Sequence, residues 1–154
     1  MYHNSVKVNV KLLHQITQEN PPAPATLESA GCDLRACIEE DELFIAAGEK
    51  ALIPAGISIE ILCGGIAGFV YSRSGLGTKK GLTVSQGVGV IDPDYRGEIK
   101  VSLLNTSGKE QKIERGQRIA QLVLQPFSQP EFVICEELGT TDRGAGGFGS
   151  TGKK

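Results

Sequence analysis

Apolar and polar residues alternate with a period of two along most of the chain. Val6, Val8, Val10 and Leu12 alternate with Lys7, Asn9 and Lys11; Ile57, Ile59 and Ile61 repeat the pattern, as do Ile99, Val101 and Leu103. That period puts like residues on one face of a pleated strand, so these segments are half-buried strands. Runs at 43–46, 50–53, 66–71, 82–85, 119–124 and 131–135 are also strand-like, divided by Gly, Pro, Asn or Asp clusters. No stretch sustains a helical period. Residues 111–117 hold a turn or two of helix at most, and 73–80 a short helix or a loop. Many short strands so punctuated favour a sandwich, jelly roll or barrel, and 154 residues suffice for one such domain with a single core.

Charge and composition narrow the function. A net charge of -2 gives no bulk electrostatic case for nucleic acid or an anionic membrane, so any anion site must be local. No apolar run approaches the roughly 18 residues of a membrane span, and the N-terminal MYHNSVKVNVK lacks a cleavable apolar segment. A cytoplasmic protein is expected. The two histidines, His3 and His14, both fall in the first strand-like segment, which disfavours histidine triads and His-rich metal cages. Cys32, Cys37, Cys63 and Cys135 show no C-x-x-C spacing and are expected as buried reduced thiols. The acidic run Glu39 to Glu42 suits a solvated turn, and residues 19–28, with three prolines, a surface loop. The last sixteen residues hold six glycines and one aromatic. That composition divides the chain into a β domain over 1–138 and a flexible arm over 139–154.

Chemistry concentrates in a few segments. Gly87 to Gly97, with Asp92-Pro93-Asp94 at its tip, has the composition of a hairpin and turn. Tyr71-Ser-Arg-Ser-Gly-Leu-Gly77 places an arginine, hydroxyls and bare backbone together, which suits a phosphate; it lacks the Gly-Lys-Ser/Thr ending of a P-loop. Arg115 to Leu122 and Arg143 to Gly152 add further arginines and glycines. Phe148, alone among glycines, has no core to join and is suited to stacking on a flat ligand, an interaction worth about 1–3 kcal/mol for a base. Together these segments suggest a nucleotide clamp.

The segments Ala30 to Ala36, Ser72 to Gly77, Gly89 to Glu98, Gly116 to Gln121 and Arg143 to Gly152 resemble, in order and spacing, the five motifs of the trimeric deoxyuridine triphosphate nucleotidohydrolases, the dUTPases. The resemblance spans residues 30–152. It implies an all-β, jelly-roll subunit with little helix, assembled as a homotrimer with three sites at subunit interfaces and the arm crossing to another subunit. The implied reaction is dUTP plus water to dUMP and pyrophosphate, which limits uracil incorporation into DNA and supplies dUMP for thymidylate synthesis. Asp92 matches the carboxylate that activates water for attack on the α-phosphorus. Tyr95 matches the aromatic under the deoxyribose, which leaves no room for a 2′-hydroxyl.

The resemblance assigns uracil to the backbone of the hairpin around 86–92. Gly89, Val90, Ile91 and Lys100 align with substrate-binding positions, and Gln86 stands where many bacterial members have Asn. Arg73, Ser74 and Gly75 match the phosphate-binding segment, Gln121 a glutamine at the phosphates, and Asp33 a supporting carboxylate. Arg143, Phe148 and Gly149 match the tail that closes over the γ-phosphate and stacks on uracil. One Mg2+, held by the phosphates and waters with no direct protein ligand, is the implied cofactor.

Two other readings compete. The dCTP deaminase branch shares the fold and a similar hairpin, but Ser102 sits where that branch has its catalytic Glu. A jelly-roll binding or capsid-like module with a glycine tail also fits the composition, though it has no need for Asp92, Tyr95, Arg73 and Arg143 together.

Overall fold

The computed structural model describes residues 5–147. Eleven strands and two short helices follow in the order β1 (Val8–Leu12), α1 (Gln15–Glu19), β2 (Gly31–Arg35), β3 (Glu42–Ile45), β4 (Lys50–Pro54), β5 (Ile57–Ile61), β6 (Ile66–Ser72), α2 (Ser74–Lys80), β7 (Leu82–Val84), β8 (Gly89–Ile91), β9 (Lys100–Asn105), β10 (Gln111–Glu114) and β11 (Arg118–Pro126). They pair antiparallel in four small sheets, ordered β1-β5, β10-β3, β2-β11-β6-β8 and β4-β9-β7. This is the all-β class that the alternation implied and the jelly roll that the family resemblance implied.

The alternation is what buries the core. Ile57, Ile59 and Ile61 of β5 point inward while Ser58 and Glu60 lie half-buried, and β9 does the same with Val101 and Leu103. Leu34, Val70 and Leu122 of the four-stranded sheet share one cluster with Ile53, Val101 and Leu103 of the three-stranded one. Each such side chain, fully buried, contributes roughly 1.5–3 kcal/mol. One polar group sits among them. The side-chain amide of buried Asn105 donates to the carbonyls of Ile45 (2.9 Å), Ala46 (3.2 Å) and Lys109 (2.8 Å), and its Oδ1 accepts from the amide and hydroxyl of Ser107. Its hydrogen bonds are met, so it ties the end of β9 to β3 without a desolvation penalty.

Several local expectations need correction. Residues 131–135 are exposed and carry no strand: Phe132, Val133 and Ile134 find no facing strand in the described chain and stand 88%, 81% and 99% exposed. Residues 111–114 form β10 rather than helix, because pairing with β3 overrides a weak local preference. His14 lies outside β1 and caps α1, its Nδ1 accepting from the Ile16 amide at 3.1 Å. The four thiols are free, but Cys37 alone is buried; Cys32 is intermediate, and Cys63 and Cys135 are exposed. Residues 39–41 are an exposed bend, while Glu42 begins β3 and pairs with Lys112 at 2.6 Å. No helix among the described residues is long and apolar enough to cross a membrane.

Candidate active site

Two concavities collect the chemistry-bearing residues. The first lies beside β8. Its lining includes Val70, Val84, Ile99 and Val101, with Gln86, Gly89, Val90, Ile91, Asp92, Tyr95, Glu98 and Lys100, and its volume is about 240 Å³. The apolar floor follows from strand alternation, since Val84 and Val101 are buried positions of β7 and β9, and Ile99, just before β9, continues the same alternation. The turn into β8 is made possible by Gly87, whose φ of 81° is costly for any residue with a Cβ, and whose amide bonds the Val84 carbonyl at 3.0 Å.

The position of β8 at the sheet's end gives the cavity its recognition surface. One side of β8 pairs with β6 through Gly68–Ile91, Phe69–Val90 and Val70–Gly89, and no named strand pairs with its other side. An edge strand presents N–H and C=O groups at fixed spacing, which is how a planar heterocycle with mixed donors and acceptors is matched. Gln86 is exposed, and its Oε1 accepts from the Ser85 hydroxyl at 3.0 Å, which leaves the amide N–H2 as its donor. Ser85 Oγ also shares a hydrogen bond with the Ser102 hydroxyl at 2.8 Å, so the residue at the deaminase position is a plain hydroxyl tied to β7's exit.

Asp92 and Tyr95 sit on one turn, closed by the Tyr95 amide donating to the Asp92 carbonyl at 3.0 Å. The Tyr95 side chain is 44% exposed, and its hydroxyl donates to the Glu98 carbonyl at 3.0 Å. An exposed carboxylate and an aromatic face thus share one pocket wall.

The second concavity, of about 340 Å³, is lined by Asp33, Arg73, Ser74, Gly75 and Gln121. Strand register assembles it. Gln121 of β11 stands opposite both Asp33 of β2 and Tyr71 of β6, and directly paired residues on neighbouring strands share a face. A β-bulge between Arg118 and Ala120 shifts the register and turns Arg118 toward Asp33. Asp33 Oδ1 then accepts from Arg73 Nε at 2.8 Å, and its Oδ2 from Arg118 Nη1 at 2.9 Å. Arg73 is also the N-cap of α2, whose Leu76 and Gly77 amides bond back to the Arg73 carbonyl. The amides of Ser74 and Gly75, at the helix start, have no intrahelical partner by geometry. Gln121 Nε2 donates to the Ser72 carbonyl at 3.2 Å, steadying the strand that delivers Arg73. Two guanidiniums held by one carboxylate, a hydroxyl and bare amides make an anion receptor.

The residues singled out from sequence divide accordingly. Asp92, Tyr95, Gln86, Gly89, Val90, Ile91 and Lys100 line the first concavity, and Asp33, Arg73, Ser74, Gly75 and Gln121 the second; the two lining sets share no residue. Arg143 joins neither. It lies exposed in a turn and donates through Nε to the Gly146 carbonyl at 2.9 Å. Phe148 and Gly149 lie outside the described residues. Two contributors were missed: Arg118, whose reach to Asp33 depends on the bulge, and Glu98, whose Oε1 accepts from the Gly56 amide at 3.1 Å behind the first cavity.

The thiols near these sites are both held toward their protonated form. Burial, then the charge of Asp33, pushes the Cys32 thiol up. Burial, then the charge of Glu98, pushes Cys37 up to about 11.

Comparison with known proteins converges on one family. The dUTPase family model matches residues 18–152. A protein of Histophilus somni strain 2336 named deoxyuridine 5'-triphosphate nucleotidohydrolase is 50% identical over 150 residues, covering 96% of this chain and 99% of its own. The protein of that name from Desulfitobacterium hafniense strain DCB-2 is 44% identical over 149 residues, covering 97% and 98%. The dUTPase of Staphylococcus bacteriophage 80alpha, solved with dUPNHPP, superposes with a TM-score of 0.82 at 27% identity, covering 95% of this chain and 98% of that one. The fold therefore has its counterpart in known proteins, and this chain belongs to the dUTPase family.

Proposed function

We propose that this protein hydrolyses dUTP to dUMP and pyrophosphate, with the nucleoside in the cavity beside β8 and the phosphates at the Arg73 cluster. The observation that carries this reading is the pairing of Asp92 and Tyr95 on one turn beside the open edge of β8. The edge of β8 and Gln86 meet the uracil edge, and the hairpin disfavours a thymine methyl by contact. Tyr95 faces the deoxyribose and excludes a 2′-hydroxyl by contact. Lys100 stands at the same wall, toward the negative phosphates. Asp92 holds a water in line with the α-phosphorus and takes its proton as the new P–O bond forms. The bond to the pyrophosphate oxygen breaks, and Arg73, Ser74, Gly75 and Gln121 bind the charge that gathers on the leaving group.

Magnesium fits this arrangement only through substrate. Both oxygens of Asp33 are engaged by arginines, which suits a supporting carboxylate better than a metal ligand. When bound, Mg2+ fixes the triphosphate conformation and offsets charge on the leaving pyrophosphate. The protein's own part is to orient the phosphates.

The separation of the two concavities supports a homotrimer, in which one copy's nucleoside cavity meets another's phosphate cluster. The arm from residue 139, with Arg143, Phe148 and Gly149, closes over the γ-phosphate and stacks on uracil from a further copy. The β domain through residue 138 supplies everything else, in the cytoplasm and without nucleic acid.

A pyrophosphate-release assay across dUTP, UTP, dTTP and dCTP tests the function. Release from dUTP, with the other three at least about a hundredfold slower, is expected. Ammonia from dCTP, or equal rates on all four, would sink the reading.

A further inference from the structure

The turn that carries Asp92 and Tyr95 is held from outside the cavity by groups with no assigned role. Arg96 Nη1 donates to the Pro93 carbonyl at 2.7 Å and to the Tyr95 carbonyl at 3.1 Å. Its Nη2 meets Glu60 Oε1 at 3.4 Å, and Glu60 Oε2 accepts from Asn9 Nδ2 at 2.8 Å. One guanidinium thus spans the active turn and the β1–β5 pair, where Asn9 and Glu60 stand opposite each other.

The other side of Tyr95 is fixed by the next two residues. Gly97 lies beneath the ring, where a Cβ would overlap the Tyr95 hydroxyl and Cζ. The missing side chain is what lets the ring fold back over the backbone. The ring's hydroxyl then reaches the Glu98 carbonyl, while the Glu98 carboxylate holds the Gly56 amide at 3.1 Å. Ile99 is bonded on both sides to the same turn, its amide to Ile57 and its carbonyl from Ala55, each at 2.9 Å. Glu98 is therefore a fixed anchor.

We propose that Arg96 and Gly97 are the positioning residues that set sugar specificity: Arg96 clamps the carbonyls of the Asp92–Tyr95 turn against Glu60, and Gly97 provides the space that seats the Tyr95 ring. The inference rests on the assignment of Tyr95 to the deoxyribose. Neither residue touches the reacting atoms. Arg96 acts on the backbone that carries both Asp92 and Tyr95, whereas Gly97 acts on the ring alone, and the two substitutions are distinguishable for that reason. Loosening the turn slows dUTP turnover and admits ribose together. Displacing the ring chiefly changes the discrimination.

The test compares Arg96→Ala, Arg96→Lys, Glu60→Gln and Gly97→Ala with the parent by two readouts. The first is hydrogen exchange of the Tyr95 amide without ligand, which needs no activity. In Arg96→Ala it speeds about tenfold, with Arg96→Lys closer to the parent and Glu60→Gln between them. The second is kcat/KM for dUTP and UTP. Arg96→Ala loses about tenfold to a hundredfold on dUTP, the scale of a small misplacement of reacting groups. The dUTP-to-UTP ratio falls about tenfold in both Arg96→Ala and Gly97→Ala, and Arg96→Lys recovers part of it. Unchanged exchange in Arg96→Ala overturns the clamp, whatever the activity. Faster exchange with an unchanged nucleotide ratio in both variants overturns the link to specificity. A parent that releases no pyrophosphate from dUTP overturns the substrate assignment instead, and leaves the clamp to be decided by exchange.

Discussion

The cavity beside β8 is walled by backbone edge and apolar side chains, with Asp92 on an exposed turn, whereas the concavity beside α2 is walled by Arg73 and by Asp33, whose carboxylate also holds Arg118. On the proposed function, the first discriminates by shape and by donor–acceptor order. Such recognition depends on where the backbone lies, so its determinants are turns and braces: Gly87, Arg96, Gly97 and the anchor at Glu98. The second attracts charge. Its determinants are side chains whose geometry is set by a shared carboxylate and a strand bulge. The division matches the ligand, a neutral heterocycle and sugar joined to a polyanion. On the proposed function, specificity belongs to one half and electrostatic affinity to the other.

Substitutions that strike each half separately sharpen this division. The largest effect is expected on the neutral side, from Asp92→Asn. Loss of the base should lower kcat by about a thousandfold, within the range of general-base contributions. Binding of a non-hydrolysable dUTP analogue, followed by calorimetry, should stay near the parental value because the nucleoside walls are untouched. Retained turnover would remove Asp92 from the base role.

Arg73→Ala strikes the charged side. It removes a phosphate donor and leaves Asp33 with a single arginine, so kcat/KM on dUTP should fall about a hundredfold, mostly through KM. The dUTP-to-UTP ratio should hold, in contrast to Gly97→Ala. A ratio that collapses in Arg73→Ala would merge the two halves.

Truncation after Asp142 removes most of the arm proposed to serve both halves. Base stacking of about 1–3 kcal/mol together with a charge-assisted bond predicts a loss of roughly a hundredfold or less. The melting temperature should be unchanged, because residues 127–147 carry no strand or helix and the core ends with β11. A truncated enzyme at full rate would refute the closing arm.

The smallest effect is a pH dependence confined to the nucleoside side. The Cys37 thiol, pushed up to about 11 by burial and then by the charge of Glu98, stays protonated in the folded chain where the unfolded chain's thiol ionises. The unfolded state therefore binds fewer protons than the native state between about 9 and 11, and stability falls as pH rises through that window. Cys37 Sγ lies against Gly56, whose amide Glu98 holds. Thermal melts at pH 8 and 10.5 should show a steeper alkaline loss in the parent than in Cys37→Ala. Equal slopes would detach the thiol from that anchor.

The parts legible in the sequence are those set by short-range rules. Alternation at Val8–Leu12, Ile57–Ile61 and Lys100–Asn105 gives the strands directly, and ordered motifs name Asp92, Tyr95 and Arg73. What depends on pairing partners is not legible. Gly31–Arg35 has little intrinsic strand preference and becomes β2 because β11 pairs with it. Phe132 to Cys135 has the preference and no partner within the described chain, so no strand forms. Arg118 is hidden for the same reason, since only the bulge brings it to Asp33. Gly97 is an ordinary turn glycine in sequence, and its meaning comes from the ring that lies over it.

Mixing Asp92→Asn with Arg73→Ala subunits tests most directly the claim that the two concavities of one chain serve different sites. Each variant alone should be nearly inactive on dUTP. After co-refolding in equal amounts, random assortment should restore up to about a quarter of parental sites, since some then draw an intact Asp92 from one copy and an intact Arg73 from another. Pyrophosphate release near that level is the predicted result. Release no greater than the sum of the two variants, in assemblies shown to be mixed, would contradict it.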